Sequence, residues 1–294
     1  MSVPNLFLIA APRAGSTQLA YWMDSHPDIQ LSRVKEPNHF SAHEFKADYV
    51  RTSHLNDVNP RQYIKSGCTR RAQLAVFRVR ADYEALFSSS GSRWQFEAST
   101  SYMACPEAPA NLKAYAPQAR IILLTRNPLE RSLSHYRLAR RTGRVTHSLR
   151  QALLEEQMGA TDLAARFLLR PSRQGPGCDR IKALFDPARI LSIEFEKLIA
   201  SPQARLNEIA SFLNVDPRGF DLSVQARNAS MAVRFDRLNR LLETSGFKTI
   251  LRHHLPMRAK AMLKPIWFDS SRMIDISAED RLRVACALDI ACAC

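Results

Sequence analysis

The chain has 294 residues, 46% hydrophobic and 24% charged, with 42 Lys and Arg against 28 Asp and Glu, a formal net charge of +14. This balance excludes a disordered chain, because long polar tracts and low hydrophobicity are both missing. No run approaches the ~18 apolar residues of a membrane span, and Met1–Asn5 lacks a basic stretch leading into a long apolar one. A cytoplasmic protein without stable membrane insertion is the expectation.

In chain order, Asn5–Ala10 is a short apolar run typical of a strand buried on both faces. Pro12 and Gly15 break it, and Leu19, Trp22 and Met23 then repeat at helical spacing until Ser25-His26-Pro27. Helical patterns follow at 82–87 and 108–116, and a strand pattern at Trp94–Ala98. Arg120–Thr125 repeats the opening arrangement: a buried strand, a turn at Arg126-Asn127-Pro128, then Leu129, Leu133 and Tyr136 on one helical face. Further helices are expected at 148–157, 179–185, 202–213 and 235–243, and a strand at Arg189–Phe195. Residues 227–266 read as a helical lobe or lid, and 277–294 as a terminal helix. Strands alternating with helices predict an α/β fold of three layers, a central parallel β-sheet flanked by helices, as a single domain over 1–294.

The six cysteines form no Cys-x-x-Cys pair, and none stands near a His at zinc-ligand spacing, so no metal is expected. Cys286, Cys292 and Cys294 crowd a tail that reads as a helical end. The isoelectric point of 9.9 calls for an anionic partner. Arg126, Arg131, Arg137, Arg140, Arg141, Arg144 and Arg150 concentrate the charge, and that segment is where an anion would be met.

Two motifs carry chemistry. Ala11-Pro12-Arg13-Ala14-Gly15-Ser16-Thr17 follows a strand and opens a helix, where backbone N–H groups and the helix dipole favour an anion. Gly15 permits close approach of a phosphate, and Ser16 and Thr17 add hydroxyl donors. No Lys follows Gly15, so the loop is not a Walker A sequence. The second motif runs from Thr125 to Tyr136. Arg126 ends a buried strand, where open α/β sheets bind ligands, and Ser134 lies in the second turn of the next helix. Together they could clamp one phosphate, against the plainer reading of an Arg paired with Glu130.

These two motifs together resemble the cofactor signature of the sulfotransferase family, which uses 3′-phosphoadenosine 5′-phosphosulfate (PAPS) and releases 3′-phosphoadenosine 5′-phosphate (PAP). Pro12–Thr17 resembles the family's 5′-phosphosulfate loop, and Arg126 with Ser134 its 3′-phosphate element. Ser25-His26-Pro27-Asp28, Lys35-Glu36-Pro37 with Phe40, Glu97–Tyr102 and Asp186–Leu198 are similar to further segments of bacterial and heparan-type members. The departures are Arg13 where many members carry Lys, Ala98 where some carry Lys, and Pro and Gly in 170–177 where a Tyr-containing loop is usual.

The resemblance implies a P-loop NTPase-like sulfotransferase fold and transfer of a sulfuryl group to a hydroxyl or amine of a small-molecule or glycan acceptor, a carbohydrate or glycolipid above all. Cofactor contacts fall on Arg13, Ala14, Gly15, Ser16, Thr17, Arg126 and Ser134. Arg13 is assigned to the 5′-phosphate and to leaving-group charge, and Glu36 to the general base, with a pKa raised by partial burial and an ion pair to Lys35 as its plainer role. His39 is the competing base. His26 and His135 are assigned to structure, the latter beside Tyr136. Neither a metal nor nucleic acid is implied, and the oligomeric state is not readable. The competing readings are a nucleotide-dependent kinase, opposed by the missing Walker lysine, and a non-catalytic binder of nucleic acid or acidic glycan using residues 126–150.

Overall fold

Five consecutive buried residues, Leu6–Ala10, form strand β1 at the middle of a parallel sheet. Among the described residues, the other parallel strands are β2 (Ile29–Leu31), β3 (Val34–Glu36), β4 (Ala72–Leu74), β5 (Trp94–Glu97), β6 (Arg120–Thr125) and β7 (Ile190–Glu194). The main sheet runs β2-β5-β1-β6-β7, every pair parallel, with Leu6 opposite both Phe96 and Arg120. Strands β3 and β4 make a separate parallel pair, with Glu36 opposite Leu74. The computed structural model describes residues 3–47, 50, 56–87, 91–142, 144–159, 166–224, 232–233, 268–269 and 274–290.

Among the described residues, the helices of eight or more residues are α1 (Ser16–Asp24), α2 (Ala108–Tyr115), α3 (Pro128–Thr142), α4 (Leu149–Gln157), α5 (Gly175–Leu184), α6 (Pro202–Leu213) and α7 (Ala278–Ala287). None is long and apolar enough to cross a membrane. Two compact units result: residues 1–127 with 173–226, and residues 128–172 with 227–294.

The first unit holds the sheet. Successive strand side chains point to opposite faces, so Phe7, Ile9, Ile121 and Leu123 join one core with Tyr83, Leu112 and Ile181. Leu6, Leu8, Ala10, Ile122 and Leu124 join the other, with Leu19 and Met23 of α1 and Leu206, Ile209 and Leu213 of α6. Both faces are therefore covered, which is why the strands read as unbroken apolar runs. Each large apolar side chain so buried stabilises the unit by about 1.5–3 kcal/mol. Helix α6 stops at Asn214, in the left-handed region at φ 55°.

The second unit packs α3, α4 and α7 around Leu133, Tyr136, Leu149, Leu153, Leu168 and Val284. Ser148 and Ser277 cap α4 and α7 by accepting from the N–H groups of Gln151 and Asp280. Residues 232–233 and 268–269 pair as antiparallel strands.

Some boundaries move. The helix expected at 82–87 is α-helical at 80–84 and tightens to a 3-10 turn at 85–87. The one expected at 179–185 begins at Gly175 and ends at Leu184. Gly177 sits where a Cβ would lie 2.1 Å from the Met103 carbonyl oxygen, so only glycine lets α5 lie so close to that backbone. The helix expected at 235–243 and most of the lobe at 227–266 lie outside the described residues, as does the tail beyond 290.

Candidate active site

The loop after β1 is set by two backbone hydrogen bonds: Ala11 N–H donates to the Leu124 carbonyl at 3.0 Å, and Ala14 N–H to the Ala11 carbonyl at 3.1 Å. Arg13 and Gly15 both adopt positive φ, 72° and 82°. Gly15 caps α1 with no side-chain hydrogen bond, and no acidic residue occupies the first turn. A helix N-terminus without its own carboxylate keeps its partial positive charge for an anion. A Cβ on Gly15 would lie 2.8 Å from the Phe195 ring. Ala14 and Ser16 are buried, and Arg13 and Thr17 are half-buried.

Arg126 stands against the back of this loop. Its Nη1 donates to the Arg13 carbonyl at 2.6 Å, and its guanidinium lies 4.5 Å above the Phe195 ring centroid. The backbone of Arg126 is gripped on both sides by one amide: its N–H donates to Gln174 Oε1 at 2.9 Å, and its carbonyl accepts from Gln174 Nε2 at 2.7 Å. Gln174 lies in the segment whose Pro and Gly depart from the resembled pattern. That segment holds the strand-end arginine in place.

Glu36 ends β3, and its carbonyl accepts from Ala75 N–H at 3.1 Å and from Asn38 Nδ2 at 2.8 Å. Its carboxylate is fixed at both oxygens. Oε2 accepts from Thr100 Oγ1 at 2.9 Å, and Oε1 from Lys35 Nζ at 2.8 Å and Gln73 Nε2 at 3.4 Å. Lys35 is only 1% exposed. Its ammonium also donates to Ser16 Oγ at 3.2 Å and to the Ala98 carbonyl at 3.3 Å, so it bridges the phosphate-type loop and the carboxylate. Gln73 Nε2 reaches Thr17 Oγ1 at 3.5 Å. Burying a charge in this way needs a partner and full hydrogen bonding, and Lys35 has both.

His39 lies elsewhere. Its ring stacks on Tyr83, centroids 4.3 Å apart, and Nδ1 donates to the Phe77 carbonyl at 2.8 Å. Burial pulls its pKa below the ordinary imidazole value, against the opposing effect of that carbonyl. Behind it, buried Glu97 accepts from Tyr102 Oη at 2.6 Å, Tyr83 Oη at 3.0 Å, Ser99 N–H at 3.2 Å and the Ser99 hydroxyl. Burial pushes the Glu97 carboxyl up to about 7, although these hydrogen bonds pull the other way.

Ser134 belongs to the second unit, in α3, and is half-buried. Several arginines of the segment around it are engaged within their own unit. Arg131 is fully buried and donates to Ser172 Oγ at 2.7 Å and to the carbonyls of Phe167 and Leu168 at 2.5 and 3.1 Å. Arg137 and Arg140 also donate to carbonyls, of Ile274 at 3.3 Å and of His147 at 3.0 Å. Within its own unit Glu130 forms an ion pair with Arg281. His26 is structural: Nε2 donates to the Asp216 carbonyl at 2.9 Å, and Nδ1 accepts from Asp28 N–H at 3.0 Å. His135 rests on Phe167 and contacts Arg131, so it is not placed by Tyr136 alone.

Lys35, Gln73, Thr100, Gln174 and Phe195 were not predicted as site residues. Each reaches the site through a contact distant in sequence, and only Lys35 carried a local sign, its place beside Glu36.

Residues 4–218 match the sulfotransferase family. The chain is 23% identical over 239 residues to a mouse bifunctional heparan sulfate N-deacetylase/N-sulfotransferase 4, covering 80% of this chain and 24% of the mouse protein. It thus spans about a quarter of the length of the curated relatives it matches. The fold is similar to a sulfotransferase from Alicyclobacillus acidocaldarius, with TM-score 0.63 and 20% identity, covering 86% of this chain and 97% of that one. It is also similar to a retinol dehydratase in complex with androsterone and PAP, with TM-score 0.51 and 9% identity, covering 98% and 81%. At such identities these structures speak for the fold alone.

Proposed function

The chain belongs to the sulfotransferase family, and on that footing we propose that it moves a sulfuryl group from PAPS to a hydroxyl or amine of an acceptor. The observation that carries this reading is the contact of Lys35 with both Ser16 and Glu36. It joins an anion-binding loop to a carboxylate within one small site, an arrangement a pure polyanion binder has no use for. The residues present fit the donor: a glycine-capped helix start with no first-turn acid, two hydroxyl residues and a guanidinium on the same loop.

PAPS, when bound, supplies the sulfuryl group and a phosphate leaving group, and the chain's own residues position and polarise. Arg13, Ala14, Gly15, Ser16 and Thr17 hold the 5′-phosphate through backbone N–H groups, hydroxyls and a guanidinium. Arg13 and Lys35 offset charge that grows on the departing phosphate, the largest electrostatic demand of such a transfer. Glu36 takes the acceptor's proton at its carboxylate, with Thr100 and Gln73 keeping that carboxylate oriented. Arg126 holds the 3′-phosphate. Ser134 is its partner on sequence grounds. His39, with one nitrogen committed to a carbonyl, is the less suited base. The heparan-type relative's name supports a carbohydrate acceptor, and a glycan or glycolipid is the class to screen first.

Titration with PAP and with ATP, followed by thermal melting, tests the cofactor reading. A ligand that binds only the folded state raises the melting point, and stabilisation by PAP but not ATP is expected. Transfer of radiolabelled sulfur from PAPS to a panel of sugars then identifies the acceptor. Glu36→Gln should abolish transfer while the PAP shift survives. Turnover retained in that variant would overturn the base assignment.

A further inference from the structure

Outside the transfer site, three metal-ligating side chains meet. His43 sits in the 3-10 turn Ala42–Glu44, and Cys105 and Glu107 precede α2. His43 Nε2 lies 3.2 Å from Glu107 Oε2 and 3.7 Å from Cys105 Sγ, and Cys105 Sγ lies 3.5 Å from Glu107 Oε2. A four-coordinate ion with metal–sulfur bonds of ~2.3 Å and metal–nitrogen or –oxygen bonds of ~2.0–2.1 Å sets tetrahedral edges of about 3.6 Å to sulfur and about 3.3 Å between nitrogen and oxygen. The observed triangle has those edges. We propose that His43, Cys105 and Glu107 bind a zinc-class divalent ion, with water in the fourth position.

The supports are built into the fold. Ser41 and Ser101 hydroxyls meet at 2.6 Å, and Ser101 Oγ donates to Asn38 Oδ1 at 2.6 Å, which ties the His43 turn to the residues before Cys105. Cys105 N–H donates to the Ser101 carbonyl at 3.1 Å, and Glu44 N–H to the Ser41 carbonyl at 3.0 Å. The three ligand atoms therefore sit on two braced turns. The His43 and Glu107 side chains are 49% and 60% exposed, which leaves an entry path and room for the fourth ligand.

The donor set selects the ion. One thiolate, one imidazole and one carboxylate suit zinc or cobalt(II) and disfavour magnesium or calcium, which take oxygen ligands. On binding, the Cys105 S–H bond breaks, its proton passes to solvent, and the sulfur–metal bond forms. Neutral His43 gives a lone pair from Nε2. Two ligand negative charges then balance a dication. No local spacing announced this site, because His43 is 62 positions from Cys105. It shares no residue with the 11–17 loop or with Glu36, and the ion acts as a clip between two turns.

The test is a cobalt(II) titration of the full chain after chelation, in the presence of reductant. One cobalt per chain is expected, with a thiolate-to-cobalt charge-transfer band and the visible absorption of a four-coordinate site, both abolished by added zinc. Zinc should also raise the melting point. Cys105→Ser should lose the charge-transfer band, and His43→Ala and Glu107→Gln should each weaken cobalt by more than the ~10–100-fold that loss of an outer-shell partner costs. His43 and Glu107 are exposed enough that these two variants fold even if Cys105→Ser does not, and circular dichroism checks this. Absence of the band would overturn the proposal, as would its survival in Cys105→Ser through another cysteine or undiminished binding by His43→Ala.

Discussion

Replacing Lys35 and Glu36 singly and together measures the coupling on which the site depends. Lys35→Met keeps the stem and removes an ammonium that is 1% exposed and touches three acceptors. It leaves the Glu36 carboxylate with Thr100 and Gln73, and that side chain is 13% exposed. Breaking a buried ion pair costs about 3–5 kcal/mol, and residual hydration of Glu36 brings this variant to about 2–3 kcal/mol. Glu36→Gln strands the enclosed ammonium on Ser16 and the Ala98 carbonyl, so its cost is the full ~3–5 kcal/mol. The double variant leaves no buried charge and should lose about 2–3 kcal/mol less than the sum of the singles. Urea unfolding followed by tryptophan fluorescence reads it out, since Trp22 and Trp94 both lie in the first unit. Additivity within about 0.5 kcal/mol would mean that the two groups do not meet in the folded protein, and the bridge from loop to carboxylate would fall.

Glu97 makes the first unit's stability depend on pH. Its folded pKa of about 7 stands above the 4.5 of an unperturbed glutamic acid, so between those values the unfolded chain has lost a proton that the folded chain keeps. Stability falls as pH rises through that window, by about 3 kcal/mol in total, and levels off above it. Urea midpoints of Glu97→Gln should show a flatter profile between pH 4.5 and 7, and an unchanged slope would refute the assignment. Gly15→Ala places a methyl 2.8 Å from the Phe195 ring at φ 82°, which should cost at least 1–2 kcal/mol, roughly the left-handed penalty alone, and remove the PAP-induced melting shift. Gln174→Ala frees the Arg126 backbone from two hydrogen bonds. At about 1 kcal/mol each, PAP affinity measured by calorimetry should drop by up to roughly thirtyfold, and an unchanged Kd would show that the clamp does not orient Arg126.

The strands that carry the sheet were readable because burial on both faces writes itself as unbroken apolar runs, as in Leu6–Ala10 and Ile121–Leu124. Strands β2, β3 and β4 were not, since each has three residues and includes Gln30, Lys35 or Gln73. Lys35 defeats hydropathy patterning outright: a lysine at a buried position looks like a surface residue until its acceptors from positions 16, 36 and 98 are seen around it. The 11–17 loop and Glu36 stood out by local motif, whereas Gln174 and Phe195 act at Arg126 from 48 and 69 positions away, and no spacing rule reaches that far. The charge was the most misleading signal. Arginines 131, 137 and 140 fasten carbonyls of their own unit, so net charge overstates what remains to meet a ligand.

The hydrogen bond from Arg126 to the Arg13 carbonyl has a further implication for anyone re-engineering this scaffold. Grafting the glycine loop alone onto a cousin, or swapping the strand-end arginine alone, would disturb both of the proposed recognition points at once, because one is the other's backrest. Donor analogues altered at a single end should therefore show selectivity changes at the far end too, and successful chimeras should exchange the two segments, with residues 174 and 195, as a set.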